Sequence, residues 1–249
     1  MRLTVVGCSG SFPGPDSAGS CYLVESAGFA LVLDLGSGAI GPLQRYVDLA
    51  AVDAVLVSHA HADHCADLGS LYVAGRYHPD GQRSPVPIYG PEGLAEQVTR
   101  GYGGVTPSAL SAVLDFREVE PGKMRIGPFD VTLARTAHPV PCHAIRLEAD
   151  GGALVYTADT GPSDAVTSLA IGADLLLAEA SYPDAVPHPP GLHLTGREAG
   201  EMARTAGVGQ LVITHVPPWY DAPTMRAEAA DALGRDCLFA VPGARFEVP

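Results

Sequence analysis

Lysine is almost missing from this chain: of 15 basic residues 14 are arginine, only Lys123 is lysine, and no two basic residues are adjacent. With 28 acidic residues the formal net charge is −13. The basic tracts by which proteins grip long nucleic acids or polyphosphate are therefore excluded. No apolar run approaches the ~20 residues that a membrane-spanning helix needs, which argues against a membrane protein. Residues 1–7 carry one charge and a short apolar run, and read as a first strand in place of a signal peptide. Paired cysteines are absent as well. Cys8, Cys21, Cys65, Cys142 and Cys237 are odd in number and contain no CxxC spacing, so they read as reduced thiols of a cytoplasmic protein. Linkers, repeats and low-complexity tracts are also missing.

What is present is material for a core: 47% of residues are hydrophobic and only 17% charged. Short β-rich runs fall at 3–7, 21–25, 30–34, 54–58, 86–89, 131–136, 143–148, 154–158, 175–180 and 211–215. A helix is expected over 195–206. Thr195 and Glu198 form a T-x-x-E capping box, Ala199, Met202, Ala203 and Ala206 supply the apolar stripe, and Gly207 stops it. Strands dominate the first half and alternate with helices in the second, which predicts a mixed α/β protein with helix-covered sheets. Gly- and Pro-rich loops at 9–20, 78–87 and 182–191 are candidate rims of a site.

The chemistry concentrates in His59-Ala60-His61-Ala62-Asp63-His64. Given nine histidines and 17 aspartates in 249 residues, such a hexapeptide arises by chance about once in a thousand chains. His59 and His61, two apart in an extended stretch, point to one side; Asp63 and His64 follow at the turn into a helix containing Asp67, Leu68, Leu71 and Tyr72. Imidazoles mixed with carboxylates suit zinc or a similar first-row ion such as manganese or iron, and allow two sites with shared ligands. Three further apolar runs end on metal-competent residues: 131–137 on His138, 154–158 on Asp159 and 211–214 on His215. In α/β folds the carboxyl ends of strands form the rim where ligands converge. A single site fed from residues 59 to 215 makes 1–249 one domain.

Asp34 in Leu31-Val32-Leu33-Asp34-Leu35-Gly36, the H-x-H-x-D-H segment, His138, Asp159 and His215 occur in this order, and on them the chain resembles the metallo-β-lactamase superfamily of hydrolases. The resemblance implies a four-layer αββα sandwich of two packed mixed β-sheets flanked by helices. It implies two divalent metal ions, zinc foremost, one on His59, His61 and His138, the other on Asp63, His64 and His215. Asp159 would bridge them and Asp34 would give buried support. Gly7-Cys8-Ser9-Gly10-Ser11, Glu179-Ala180-Ser181 and His193-Leu194-Thr195 resemble the ribonuclease Z-type branch. There Ala178 stands where a His is usual and Ser181 where a Thr is usual. Gly14-Pro15-Asp16-Ser17, Arg76-Tyr77-His78-Pro79 and His215-Val216-Pro217-Pro218-Trp219 are similar to an actinobacterial subgroup of cyclic-nucleotide phosphodiesterase type.

Two metals ~3.5–4 Å apart would hold a bridging water, lower its pKa towards ~7 and stabilise both oxygens of an in-line displacement at phosphorus. The expected enzyme is thus a phosphodiesterase whose bridging hydroxide hydrolyses small phosphodiesters, cyclic nucleotides foremost. Asp63 is a ligand and also a candidate orienting base. His193 is the candidate general acid, near the positive end of the helix capped by Thr195. Glu179 either supports it or is structural. Ser9, Ser11 and Trp219 are candidate substrate contacts, and the resemblance implies a homodimer. The alternatives are a tRNA 3′-processing endonuclease and a thioester or lactone hydrolase. His138 and Asp159 lie only 21 residues apart, without the long arm usual in tRNA-processing members. The third motif, Ala137-His138-Pro139-Val140-Pro141, lacks the Gly-His-Thr-like loop usual in thioester and lactone relatives.

Overall fold

Fourteen strands divide into two sheets of seven in a computed structural model that describes residues 1–249. The first six are β1 (Arg2–Gly7), β2 (Cys21–Ser26), β3 (Phe29–Leu33), β4 (Ala54–Leu56), β5 (Val86–Gly90) and β6 (Leu114–Glu118). The next seven are β7 (Gly122–Ile126), β8 (Phe129–Arg135), β9 (His143–Ala149), β10 (Gly152–Tyr156), β11 (Leu175–Glu179), β12 (Gln210–Thr214) and β13 (Leu238–Phe239). β14 (Arg245–Glu247) returns to the first sheet. The orders are β14-β1-β2-β3-β4-β5-β6 and β13-β12-β11-β10-β9-β8-β7. Each sheet begins as an antiparallel meander and continues as parallel strands: β3 to β6 in one, β10 to β13 in the other.

Alternation along the strands builds the layers. Leu3, Val5, Tyr22, Val24, Leu31 and Leu33 from one sheet meet Phe129, Val131, Leu133, Ile145, Leu154, Tyr156 and Leu177 from the other in the central core. Residues of opposite parity, such as Val6, Leu23, Val32 and Val55, are covered by helices that include α3 (Leu68–Arg76) and α4 (Leu94–Tyr102), numbered after α1 (Ile40–Leu43) and α2 (Ala62–Cys65). On the far side α6 (Asp164–Ala170), α7 (Gly196–Ala206) and α8 (Ala222–Leu233) cover Val155, Leu176, Leu211 and Ile213; α5 (Pro107–Ser111) lies near β6. Two mixed sheets flanked by helices are the architecture expected from sequence. α7 starts on the Thr195–Glu198 capping box and ends at Gly207 in the left-handed conformation. No helix is long and apolar enough to cross a membrane.

Two differences from the sequence expectation bear on the site. β6, β7, β13 and β14, at the sheet edges, were not anticipated. The expected runs 30–34, 154–158 and 211–215 also overshoot, because the strands stop at Leu33, Tyr156 and Thr214. The backbone turns left-handed at Asp34 (φ 55°), Ala158 (φ 51°) and His215 (φ 55°). That region is disfavoured for residues with a Cβ and cannot continue a ladder. The turns occur where the chain leaves the sheets to present Asp34, Asp159 and His215.

Candidate metal centre

His64 is wholly buried, and both its nitrogens are engaged. Its Nδ1–H donates to Asp34 Oδ2 at 2.7 Å, leaving the Nε2 lone pair to face His215 Nε2 and Asp159 Oδ1, each 3.2 Å away. Asp34 is itself fixed by Ser58 N–H (2.7 Å), Ser58 O–H (2.9 Å) and Tyr156 O–H (2.9 Å). His215 donates its Nδ1–H to Ser181 Oγ (3.0 Å), and Ser181 donates to Glu179 Oε2 (2.8 Å). Asp63 Oδ2 completes this group, 3.2 Å from His215 Nε2 and 3.5 Å from His64 Nε2. The loops fit closely: a Cβ on Gly36 would lie 1.9 Å from Asp63 O, and one on Gly10 would lie 2.3 Å from His215 O. Only glycine lets those backbones approach.

A second group lies beside it. His59 is buried and donates its Nδ1–H to Ser58 Oγ at 3.0 Å, so its Nε2 faces His61 Nδ1 (3.0 Å) and Asp159 Oδ2 (3.6 Å). His138 donates its Nδ1–H to the Leu192 carbonyl (3.1 Å) and aims Nε2 at His61 Nδ1 (3.3 Å). The donor atoms of His59, His61, His138 and Asp159 lie within 4.8 Å of one another, as do those of Asp63, His64, Asp159 and His215. Asp159 serves both groups, Oδ2 towards the outer one and Oδ1 towards the inner.

These residues fit a pair of cations. Around a four-coordinate ion with ligand distances of ~2.0–2.1 Å, neighbouring donors stand about 3.3 Å apart. The separations found run from 3.0 to 3.6 Å. Asp159 Oδ1 is buried and accepts no well-aligned hydrogen bond, although carboxylate oxygens seldom lack partners in a protein interior. Burial acts against the charge on Asp63, but His215 and His64 hold its carboxyl well below the usual range. Burial is likewise outweighed at Asp159, where His215, His64 and His59 favour the anion. Burial and then His64 lower His59, and burial lowers His138. At His64 the Asp159 and Asp34 carboxylates overcome burial and raise the imidazole. Ionised carboxylates thus converge on imidazole lone pairs, where they call for positive charge from a proton or a divalent ion. The fold and this cluster suit a dimetal site. The nearby Cys65 thiol is pushed up to about 12 by burial, which removes it as a competing thiolate.

His193 bridges the seam between the groups. Its ring lies 5.4 Å from that of His138 and 5.7 Å from that of His215. Its Nδ1–H donates to Glu179 Oε1 at 2.8 Å, which leaves Nε2 free. Glu179, wholly buried, also accepts from Thr160 N–H at 2.7 Å. Ser181 fills the place of the usual threonine and closes the link from Glu179 to His215. Burial opposes the His193 charge, but Glu179 and then Asp159 raise the imidazole to about 9.

The remaining candidates lie outside the two ligand groups. Ser9 is buried and its hydroxyl donates to Phe12 O at 2.7 Å; Ser11 is exposed with φ 62°. Trp219 is exposed and packs on Phe12, while His78 and Arg83 line a cleft of about 940 Å³ at the entry ends of β4 and β5, away from the donors. Ser58, Tyr156 and the Leu192 carbonyl were not foreseen. Neither residue type nor spacing marks them: Tyr156 and Leu192 act through partners distant in sequence, and Ser58, though next to His59, takes its role from Asp34, 24 residues earlier.

The profile of the beta-lactamase superfamily domain matches residues 30–216. An uncharacterized protein of Mycobacterium tuberculosis is 41% identical over 236 residues, covering 92% of this chain and 85% of its own. The probable metallo-hydrolase YhfI of Bacillus subtilis is 33% identical over 250 residues, covering 99% of this chain and all of its own. A crystal structure of YhfI superposes with a TM-score of 0.88 over 98% of both chains at 32% identity. A ribonuclease Z of Mycobacterium bovis is 33% identical over 247 residues, covering 88% of this chain and 86% of its own. The chain therefore belongs to the metallo-β-lactamase superfamily of metallo-hydrolases, with relatives in its ribonuclease Z-like branch.

Proposed function

We propose that the chain is a two-metal phosphodiesterase acting on small phosphodiesters, cyclic nucleotides foremost. The observation that carries this reading is His193, fixed by Glu179 at Nδ1 with Nε2 free, lying one ring away from each ligand group. Divalent ions, zinc foremost, held by His59, His61, His138, Asp63, His64, His215 and the shared Asp159 would supply an activated water and positive charge for the phosphate oxygens. Water adds to phosphorus, the P–O bond to the departing alcohol breaks, and His193 Nε2 gives that oxygen its proton. Glu179 accepts from Nδ1–H and raises the imidazole to about 9, so the ring is the imidazolium whose Nε2–H is given up, and Asp63 orients the incoming water. The short β9–β10 hairpin between His138 and Asp159 and the net charge of −13 favour a small substrate over tRNA. Five free, buried cysteines suit the reducing cytoplasm. Since the donors come from both sheets, the 249 residues act as one unit.

Metal-reconstituted protein assayed with 3′,5′-cyclic AMP, cyclic GMP, bis-p-nitrophenyl phosphate, precursor tRNA and a thioester tests the reading. Hydrolysis of the first three, lost in Asp159→Asn, is expected. Turnover of the thioester alone would overturn the reading. Cleavage of precursor tRNA without cyclic-nucleotide hydrolysis would transfer it to RNA processing.

A further inference from the structure

Aromatic residues are scarce, 6% of the chain with a single tryptophan, and that tryptophan is 61% exposed. Trp219 packs against Phe12, itself 38% exposed, with ring centroids 4.7 Å apart. The loops carrying this pair are tied together at the strand-end rim that presents His215. Ser9 bridges to Val216, and Gly10 N–H donates to Val216 O at 3.2 Å. Tyr220 stands edge-on to Trp219 at 6.2 Å. From the loop after β11, Tyr182 stacks on His188 (4.7 Å, 13°) and meets His193 edge-on at 5.7 Å. Aromatic faces thus stand on three of the loops around the metal centre.

Cations other than the histidines are missing from the same loops. Residues 9–20, 181–193 and 216–222 contain no Lys or Arg but include Asp16 and Asp221; a third carboxylate, Asp184, is taken up by Arg197 of α7 at 2.8 Å. A rim that recognised a chain of phosphates would need cations there. This one offers flat apolar faces, suited to a neutral heteroaromatic ring, and acidic groups that disfavour further phosphates. We propose that Phe12, Trp219 and Tyr182 form a stacking rim for the nucleobase of a mononucleotide, so that substrates carry one base and one phosphodiester. This rests on the phosphodiesterase reading above.

The sole tryptophan makes the test direct, because tryptophan emission of metal-loaded protein comes from Trp219 alone. Adenosine 5′-monophosphate should quench it saturably, and ribose 5-phosphate should not. With cyclic AMP, Trp219→Ala and Phe12→Ala should each raise KM by about tenfold, with Trp219→Tyr close to wild type and circular dichroism unchanged. An unquenched tryptophan, equal quenching by ribose 5-phosphate, or an unaltered KM in both alanine variants overturns the rim. Cyclic-nucleotide turnover with wild-type KM in those variants removes the rim and leaves the reaction standing. Base-dependent quenching without phosphodiester turnover does the reverse.

Discussion

The inner and outer ligand groups use the same residue types but are held in different ways. Asp63, His64 and His215 are buried, and the far nitrogens of both imidazoles lead into side-chain networks through Asp34, Ser58 and Tyr156 or through Ser181 and Glu179. Of the three outer histidines only His59 is buried, tied to Ser58; His61 is exposed, and His138 is half-buried and tied to one backbone carbonyl. Networks that lock tautomer and ring orientation raise metal affinity and resist rearrangement. The inner group is therefore the more rigidly held of the two, while the outer one faces solvent.

Asp159→Asn should have the largest effect, because it strikes both groups: turnover should vanish and metal content should fall at both positions, as read by atomic emission. His193→Ala separates acting from holding. Its rate should drop by about a hundred- to ten-thousandfold with metal content unchanged, and a parallel loss of metal would break that separation. Asp34→Asn keeps a residue tolerant of left-handed backbone and strikes the inner group directly through His64, the outer one only at one remove through Ser58 and His59. Metal affinity and activity should fall about ten- to a hundredfold, with the larger loss at the inner group by metal titration. Graded chelation gives the smallest effect. The outer ion should leave first, and loss of an ion held at a hundredfold excess over its Kd should lower Tm by about 5–10 °C. Release in a single step would erase the distinction between the groups.

The chemistry was legible because it is local in sequence: H-x-H-x-D-H places four donors within six residues, and three further apolar runs each end on one more. The α7 cap was legible for the same reason. What escaped reading lies across the fold. Tyr156 reads as an ordinary core residue, yet its hydroxyl reaches Asp34 from the opposite sheet, 122 residues away. β7, with the sequence GKMRI, is mostly exposed and lacks apolar alternation. β13 and β14 span only 2 and 3 residues, too few for a period to register. The overshoots of 30–34, 154–158 and 211–215 share one cause, since the left-handed turns at Asp34, Ala158 and His215 involve no glycine and leave no mark in composition.

Asp159 gives one carboxylate oxygen to each ligand group. Two occupancies that share a rigid group are thermodynamically linked. If an ion in the inner group orients the carboxylate and strengthens outer binding by some factor, the outer ion strengthens inner binding by the same factor. Metal supply then acts as more than an on-off requirement. Where that factor exceeds one, activity would rise more steeply with free metal than two independent sites allow.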